Sequence, residues 1–333
     1  MKSPPLILVV LSIYLAPLQA FGADDHSARF SFTAAGDLAA TTHTTAVLKK
    51  IAKYKPAFHI ALGDLSYDMI KPEKAWCDYV KKNLGEEIPF ELLTGNHESN
   101  GRDGFIENFA DCMPDRLGAQ GEYPKEYLFD YPPKNPLARF IVVSPGLQFT
   151  NKEVYVYKKD SPHYKWLSDK IDEARAKKIP WVIIGMHKTC LSVGLMRCDT
   201  GTDIFNLLLS KKVDLILQGH DHTYQRTKQL ALGNGCSELN FTEYNGSCVA
   251  GESKGRPFKK GAGTVILING TMGADQGTID MNADKAAYFE GFMGANWMKS
   301  YGYSAFEVSK YKLKVSYIAA EGRFKDDFEI IGI

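Results

Sequence analysis

The chain has 333 residues, 44% of them hydrophobic and 24% charged, with a net charge of +1 at neutral pH. That length buries a substantial core as one large domain or two. Lys, Arg, Asp and Glu are interspersed with no long basic block, which argues against a nucleic-acid partner.

In chain order, the first segment stands apart: Met1, Lys2, then an uncharged apolar run from Pro4 through Leu18. The run is short for a membrane span and small residues follow at Ala20 and Ala23. Residues 1–23 therefore read as a signal peptide, with an uncleaved N-terminal anchor as the alternative and the only route to a membrane contact. Residues 28–333 read as one catalytic-sized domain without internal repeat or splitting linker. Strand-like apolar runs alternate there with amphipathic helical ones, the pattern of an α/β protein. RFSFTAA at Arg29–Ala35 predicts a strand, and Thr44–Tyr54 a helix with Val47, Leu48 and Ile51 on one face. AFHIALGD predicts a strand ending at Asp64, Phe90–Thr94 a short one ending at Asn96, and RFIVVS another near Arg139–Ser144. A helix over Pro162–Lys177 leads into WVIIGMH, Trp181–His187, and a helix near Asp203–Ser210 leads into VDLILQGHDH. The final third, with TVILING and YSAFEVSKYKLKVSYIA, has the alternation of antiparallel strands. Gly233–Gly263 reads as a long polar loop inserted between core strands and held by a disulfide.

Six cysteines agree with export to an oxidising compartment. Proximity in sequence pairs Cys77 with Cys112, Cys190 with Cys198 and Cys236 with Cys248. Cys190, three residues after His187, has a second reading as a metal ligand. Asn240 and Asn245 open N-x-S/T sequons, which matter if the host glycosylates exported proteins.

Five apolar strands end in polar blocks: GD at 36–37, GDLSYD at 63–68, GNHE at 95–98, GMH at 185–187 and GHDH at 219–222. Binding sites of open α/β sheets gather at the carboxyl ends of the strands, so side chains from separate segments converge there. In four of the five blocks a glycine directly precedes the candidate ligand and allows the backbone to turn sharply and approach closely. In GHDH, His220 and His222 stand two residues apart and aim alike, serving one metal or two adjacent ones.

This ordered series resembles the calcineurin-like metallophosphoesterases, whose blocks run GD, GD, GNH(D/E), a lone histidine and GHxH. The likeness spans residues 30–320. Many members carry D-x-H in the first block, whereas here Leu38 and Ala39 follow Asp37. GDLSYD supplies Tyr67 three residues after Asp64, the arrangement of the purple acid phosphatase branch. The resemblance implies a metallophosphoesterase four-layer αββα sandwich, two mixed β-sheets flanked by helices. It implies that Asp37, Tyr67 and His222 hold Fe(III), that Asp64 bridges to a divalent Fe, Zn or Mn, and that Asn96, His187 and His220 complete the second site. His97 would contact the substrate phosphate and donate a proton, with Asp221 and Glu98 orienting imidazoles from outside.

The implied protein is an exported acid phosphatase that hydrolyses small phosphate monoesters with a hydroxide held by the metals. Alternatives are a phosphodiesterase or nucleotide hydrolase on the same scaffold, or a non-catalytic exported metal-binding protein. Other readings compete at single residues: Tyr67 as a packed ring, and His97 as an orienting hydrogen-bonder. His59 reads as a core residue, His163 as a helix start, and His26 and His43 as solvated. The glycines of GAGTVILINGTMGADQGT lack a phosphate-loop lysine and read as turns near the site rim. Tyr224, Arg226 and Lys188 lie close to ligands in sequence and are candidates to touch substrate, with Arg226 alternatively a surface cation.

Overall fold

The computed structural model describes residues 28–332; the leader reading of residues 1–23 lies outside them. Alternation along the strands sets the architecture. Ile183, Leu215 and Leu217 join one buried cluster, while their neighbours Val182, Ile184 and Ile216 join another. Strands apolar on both faces must be covered twice, once by a second sheet and once by helices.

The first sheet runs from edge to edge through Phe258–Lys259, Asp327–Ile331, Lys312–Glu321, Tyr301–Val308, Phe30–Ala35, His59–Ala61 and Phe90–Leu92. The last three are parallel, and Phe30–Ala35 pairs antiparallel with Tyr301–Val308. The second sheet runs through Phe289–Met293, Tyr224–Thr227, Val265–Asn269, Leu215–Gln218, Trp181–Met186, Ala138–Val142, Glu126–Tyr131 and Gln120–Glu122. Its centre is parallel and its flanks antiparallel. Phenylalanines lock the two sheets together: Phe32 stacks on Phe306 at 4.2 Å, and meets Phe140 of the other sheet edge-on at 5.0 Å. Helix Thr42–Tyr54 covers the first sheet and helix Pro162–Ala176 the second. The result is the α/β sandwich of two mixed sheets with helices outside.

Several local expectations shift. Helix Thr42–Tyr54 begins two residues before Thr44, because Thr41 caps it: the Thr44 N–H donates to Thr41 Oγ1 at 3.2 Å, and the Thr41 N–H to Thr44 Oγ1 at 3.1 Å. Val265–Asn269 is not purely antiparallel, since it runs parallel to Leu215–Gln218. Phe258–Lys259, inside the predicted loop 233–263, pairs with Asp327–Ile331 as an edge strand. Helix Glu73–Leu84 went unpredicted, although its buried Trp76, Cys77, Val80 and Leu84 carry helical spacing. Three disulfides join Cys77 to Cys112, Cys190 to Cys198 and Cys236 to Cys248. The thiol of Cys190 is thus consumed, which overturns its reading as a metal ligand.

Candidate metal centre

The five polar blocks meet at the carboxyl ends of the strands, where the backbone adopts conformations that side chains usually avoid. Asp37, Asp64, Tyr67 and His220 all have left-handed φ, at 60°, 54°, 49° and 68°. Each such residue costs on the order of 1–3 kcal/mol, a strain that persists only where the surroundings enforce it. Two glycines make the approach possible. A Cβ on Gly95 would fall 2.2 Å from Asp64 Oδ1, and one on Gly63 (φ +84°) would fall 2.6 Å from His187 Nδ1.

The side chains form two donor groups that share Asp64. Asp64 Oδ1 lies 3.2 Å from His187 Nε2, which is also 3.2 Å from Asn96 Oδ1. The His220 ring sits against His187 with centroids 4.9 Å apart, and the ligand atoms of Asp64, His187 and His220 all lie within 4.8 Å of one another. Asp64 Oδ2 accepts from the Tyr67 hydroxyl at 3.2 Å, and that hydroxyl lies 3.1 Å from Asp37 Oδ1 and 2.8 Å from His222 Nε2. His222 Nε2 is in turn 3.2 Å from Asp37 Oδ1. The structure therefore brings together all seven residues read from the sequence as ligands. Two ring orientations are fixed by backbone carbonyls: His187 Nδ1 donates to Leu62 O and His222 Nδ1 to Asp275 O, each at 2.7 Å. Both rings then point Nε2 into the cluster.

The charges and burial of the cluster's own groups set their protonation. Burial opposes charge on His187, yet the Asp64 and Asp37 carboxylates hold it up to about 9. His222, also desolvated, is held up to about 9 chiefly by Asp37. Burial and the neighbouring His187 push His220 down to about 3. Burial, then Asp37 and Asp64, push the Tyr67 phenol well above its ordinary value. Protons thus take the place of positive charge between buried carboxylates. Carboxylate, phenol, amide and imidazole donors at this spacing fit a pair of hard or borderline cations.

His97 stands beside the shared carboxylate, its Nε2 3.7 Å from Asp64 Oδ2, while its Nδ1 hydrogen-bonds Asp103. Sequence reasoning missed Asp103, because the pairing depends on the path of the glycine-flanked loop Gly101–Gly104. Two assigned roles need correction. Glu98 orients no imidazole; its carboxylate accepts backbone N–H groups from Asp64 at 3.0 Å, Leu65 at 3.2 Å and Gly95 at 2.5 Å. Asp221 likewise hydrogen-bonds no ring, accepting instead from the Ser192 hydroxyl and from Gln225 Nε2 at 3.3 Å.

Tyr224 and Arg226 do not reach the centre. Both are buried against Asp326, to which Tyr224 donates at 2.8 Å and Arg226 at 2.6 Å and 3.0 Å. Lys188 is engaged by Gly146 O at 3.2 Å and Asp199 at 3.5 Å. His59 is buried against Thr33, and His43, only partly exposed, stacks on Tyr301 and bonds Glu321. Asp275 lies in the glycine-rich stretch, which contacts the centre through that residue's carbonyl rather than as a phosphate loop.

Paired carboxylate–imidazole clusters at the strand ends of a two-sheet α/β sandwich define the metallophosphoesterase class. The chain belongs to the calcineurin-like phosphoesterase family, whose model matches residues 30–224. Its relatives place it on the purple acid phosphatase-like branch. Purple acid phosphatase 18 of Arabidopsis thaliana is 25% identical over 221 residues, covering 64% of this chain and 48% of that protein. A phosphoenolpyruvate phosphatase of Allium cepa is 26% identical, covering 61% of this chain and 43% of its own length. The chain spans about half the length of such curated relatives. Among solved structures, a purple acid phosphatase from yellow lupin superposes with a TM-score of 0.66 at 16% identity, over 92% of this chain and 54% of that one. GAP50 of Plasmodium, described as an anchor in the inner membrane complex, superposes at 0.55 and 18% identity, over 90% and 88%. Among the described residues no helix is long and apolar enough to cross a membrane.

Proposed function

We propose that this protein is an exported acid phosphatase that hydrolyses small phosphate monoesters at a binuclear centre. Asp37, Tyr67 and His222 would hold Fe(III), and Asn96, His187 and His220 a divalent Fe, Zn or Mn, with Asp64 shared. The observation that carries this reading is the split of one carboxylate, Asp64 Oδ1 toward His187 and Oδ2 toward Tyr67. The three disulfides support export. The complete donor set favours an enzyme over a non-catalytic anchor, because four of its residues, Asp37, Asp64, Tyr67 and His220, are held in costly left-handed conformations.

Two cations bound here would lower the pKa of a shared water and neutralise phosphoryl oxygens during in-line displacement. The remaining work falls to the protein. His187 and His222, steered by Leu62 O and Asp275 O, keep Nε2 aimed inward. His97 Nε2 faces the centre and delivers a proton to the departing alkoxide, while Asp103 holds its Nδ1 and so its tautomer. His97→Ala should lower kcat about 10²-fold on an alkyl phosphate but much less on 4-nitrophenyl phosphate, whose leaving group needs no proton. Equal losses on the two esters would remove the proton-donor assignment.

Metal analysis of purified protein, joined to a visible spectrum and to turnover of a monoester against a diester, tests the whole reading. A tyrosinate-to-Fe(III) absorption band is expected in the wild type and should vanish in Tyr67→Phe. A colourless, iron-replete wild type rejects the role of Tyr67, and metal-replete protein inactive on every phosphoester rejects the enzyme.

A further inference from the structure

The inserted loop carries two sequons, Asn240-Phe241-Thr242 and Asn245-Gly246-Ser247, and the fold treats them differently. We propose that Asn240 is an N-glycosylation site, taking an oligosaccharide from a lipid-pyrophosphate donor, and that Asn245 stays bare. The inference rests on the proposed export of the chain and uses nothing of its catalysis.

Asn240 is presented outward. Its neighbours Leu239 and Phe241 are buried, and the Phe241 ring packs on Phe205 of helix Asp203–Ser210 with centroids 5.4 Å apart. Asn240 and Thr242 are left exposed between and beyond these anchors. Asn240 Oδ1 accepts from the N–H and the hydroxyl of Thr242, both at 2.8 Å, and from the Glu243 N–H at 3.1 Å. Among the described residues, none accepts a hydrogen bond from its Nδ2. The turn is made by residues 240–243 alone, so a chain can form it before the rest of the fold closes.

Asn245 is half-buried and its amide is spent. Its Nδ2 donates to Gly235 O at 2.7 Å, while its Oδ1 caps the short turn Gly246–Cys248 by accepting from the Ser247 N–H at 3.0 Å. The surroundings are tight. A Cβ on Gly235 would fall 2.8 Å from Ser247 Oγ, so a sugar on Nδ2 has no room between the two backbones. The Cys236–Cys248 disulfide closes this arrangement, joining the residue after Gly235 to the residue after Ser247.

In the transfer, which a host transferase catalyses, Asn240 Nδ2 bonds to the anomeric carbon of the first sugar as the bond from that carbon to the pyrophosphate oxygen breaks. One Nδ2 proton is released and the lipid pyrophosphate departs. Oδ1 keeps all three of its donors. The turn therefore survives the modification, with the bulky glycan standing in water.

The test expresses the full chain in insect cells, once as it stands and once behind the host's own secretion leader. Treating the secreted protein with peptide-N-glycosidase in heavy-oxygen water converts each glycosylated asparagine to a mass-tagged aspartate, read by peptide mass spectrometry. Asn240 should carry the tag and Asn245 should not. On a gel the same treatment should give one mobility step, lost in Asn240→Gln and in Thr242→Ala and retained in Asn245→Gln. An untagged Asn240 in the secreted wild type, or Asn245 tagged as fully as Asn240, overturns the proposal. A tag that appears only in the leader-led chain supports the site and counts against export by the chain's own first residues.

Discussion

Asp64→Asn should cut kcat/KM for a phosphate monoester by on the order of 10³-fold or more, while the far-ultraviolet spectrum stays that of the wild type. Asp64 is 1% exposed and its two oxygens serve different donor groups. The amide keeps one oxygen but replaces the other with an NH₂ that repels a cation and donates where the Tyr67 hydroxyl now donates. One negative charge is lost from the place where two positive charges are to be held. Losing about 4 kcal/mol of charge stabilisation corresponds to three decades at about 1.4 kcal/mol each. Metal content, measured in parallel, should fall from two ions to one or fewer per chain. A variant that retains both ions and more than a tenth of the activity would refute Asp64 as the shared ligand.

The second large effect lies away from the centre. Arg226→Ala should destabilise the fold by about 3–5 kcal/mol, because it leaves two carboxylates facing each other in a buried site. Arg226 donates to Asp326 through Nε and Nη2, and to Glu290 through Nη1 at 2.8 Å. Its guanidinium also lies 4.9 Å from the Phe328 ring centroid. Arg226 and Glu290 belong to the second sheet, whereas Asp326 leads into Asp327–Ile331 of the first. The group is therefore a polar tie between layers otherwise joined by phenylalanines. Urea unfolding of the metal-free chain provides the measure, and a loss below about 1 kcal/mol would show that the carboxylates find water or protons instead.

What the sequence disclosed and what it hid follow from range. Glycine-led blocks at strand ends are local signals, each readable within six residues, and the order of the five blocks carries the topology that gathers them. The two-residue period and the helical spacing are equally local, so the layers of the sandwich were legible. Asp103 was not, because its meeting with His97 depends on how one loop folds back. Arg226 misled for a geometric reason. After His222 the chain turns and Tyr224–Thr227 runs antiparallel to Val265–Asn269. At about 3.3 Å per residue, four residues place Arg226 roughly 13 Å further along. Its true partner is a hundred residues away in sequence, a distance that no pattern reports. Glu98 looked like a companion to the histidines because it sits next to His97, but its three donors are backbone groups that a sequence does not single out.

Those three donors come from two different strand ends, Asp64 and Leu65 after one and Gly95 after its parallel neighbour. A single carboxylate thus staples the two loops, and neither drifts without the other. An ion arriving at one half of the centre finds the other half already arranged. Stripping one ion should consequently leave the loops around its place in unchanged shape, even though the two ions share the charge of Asp64.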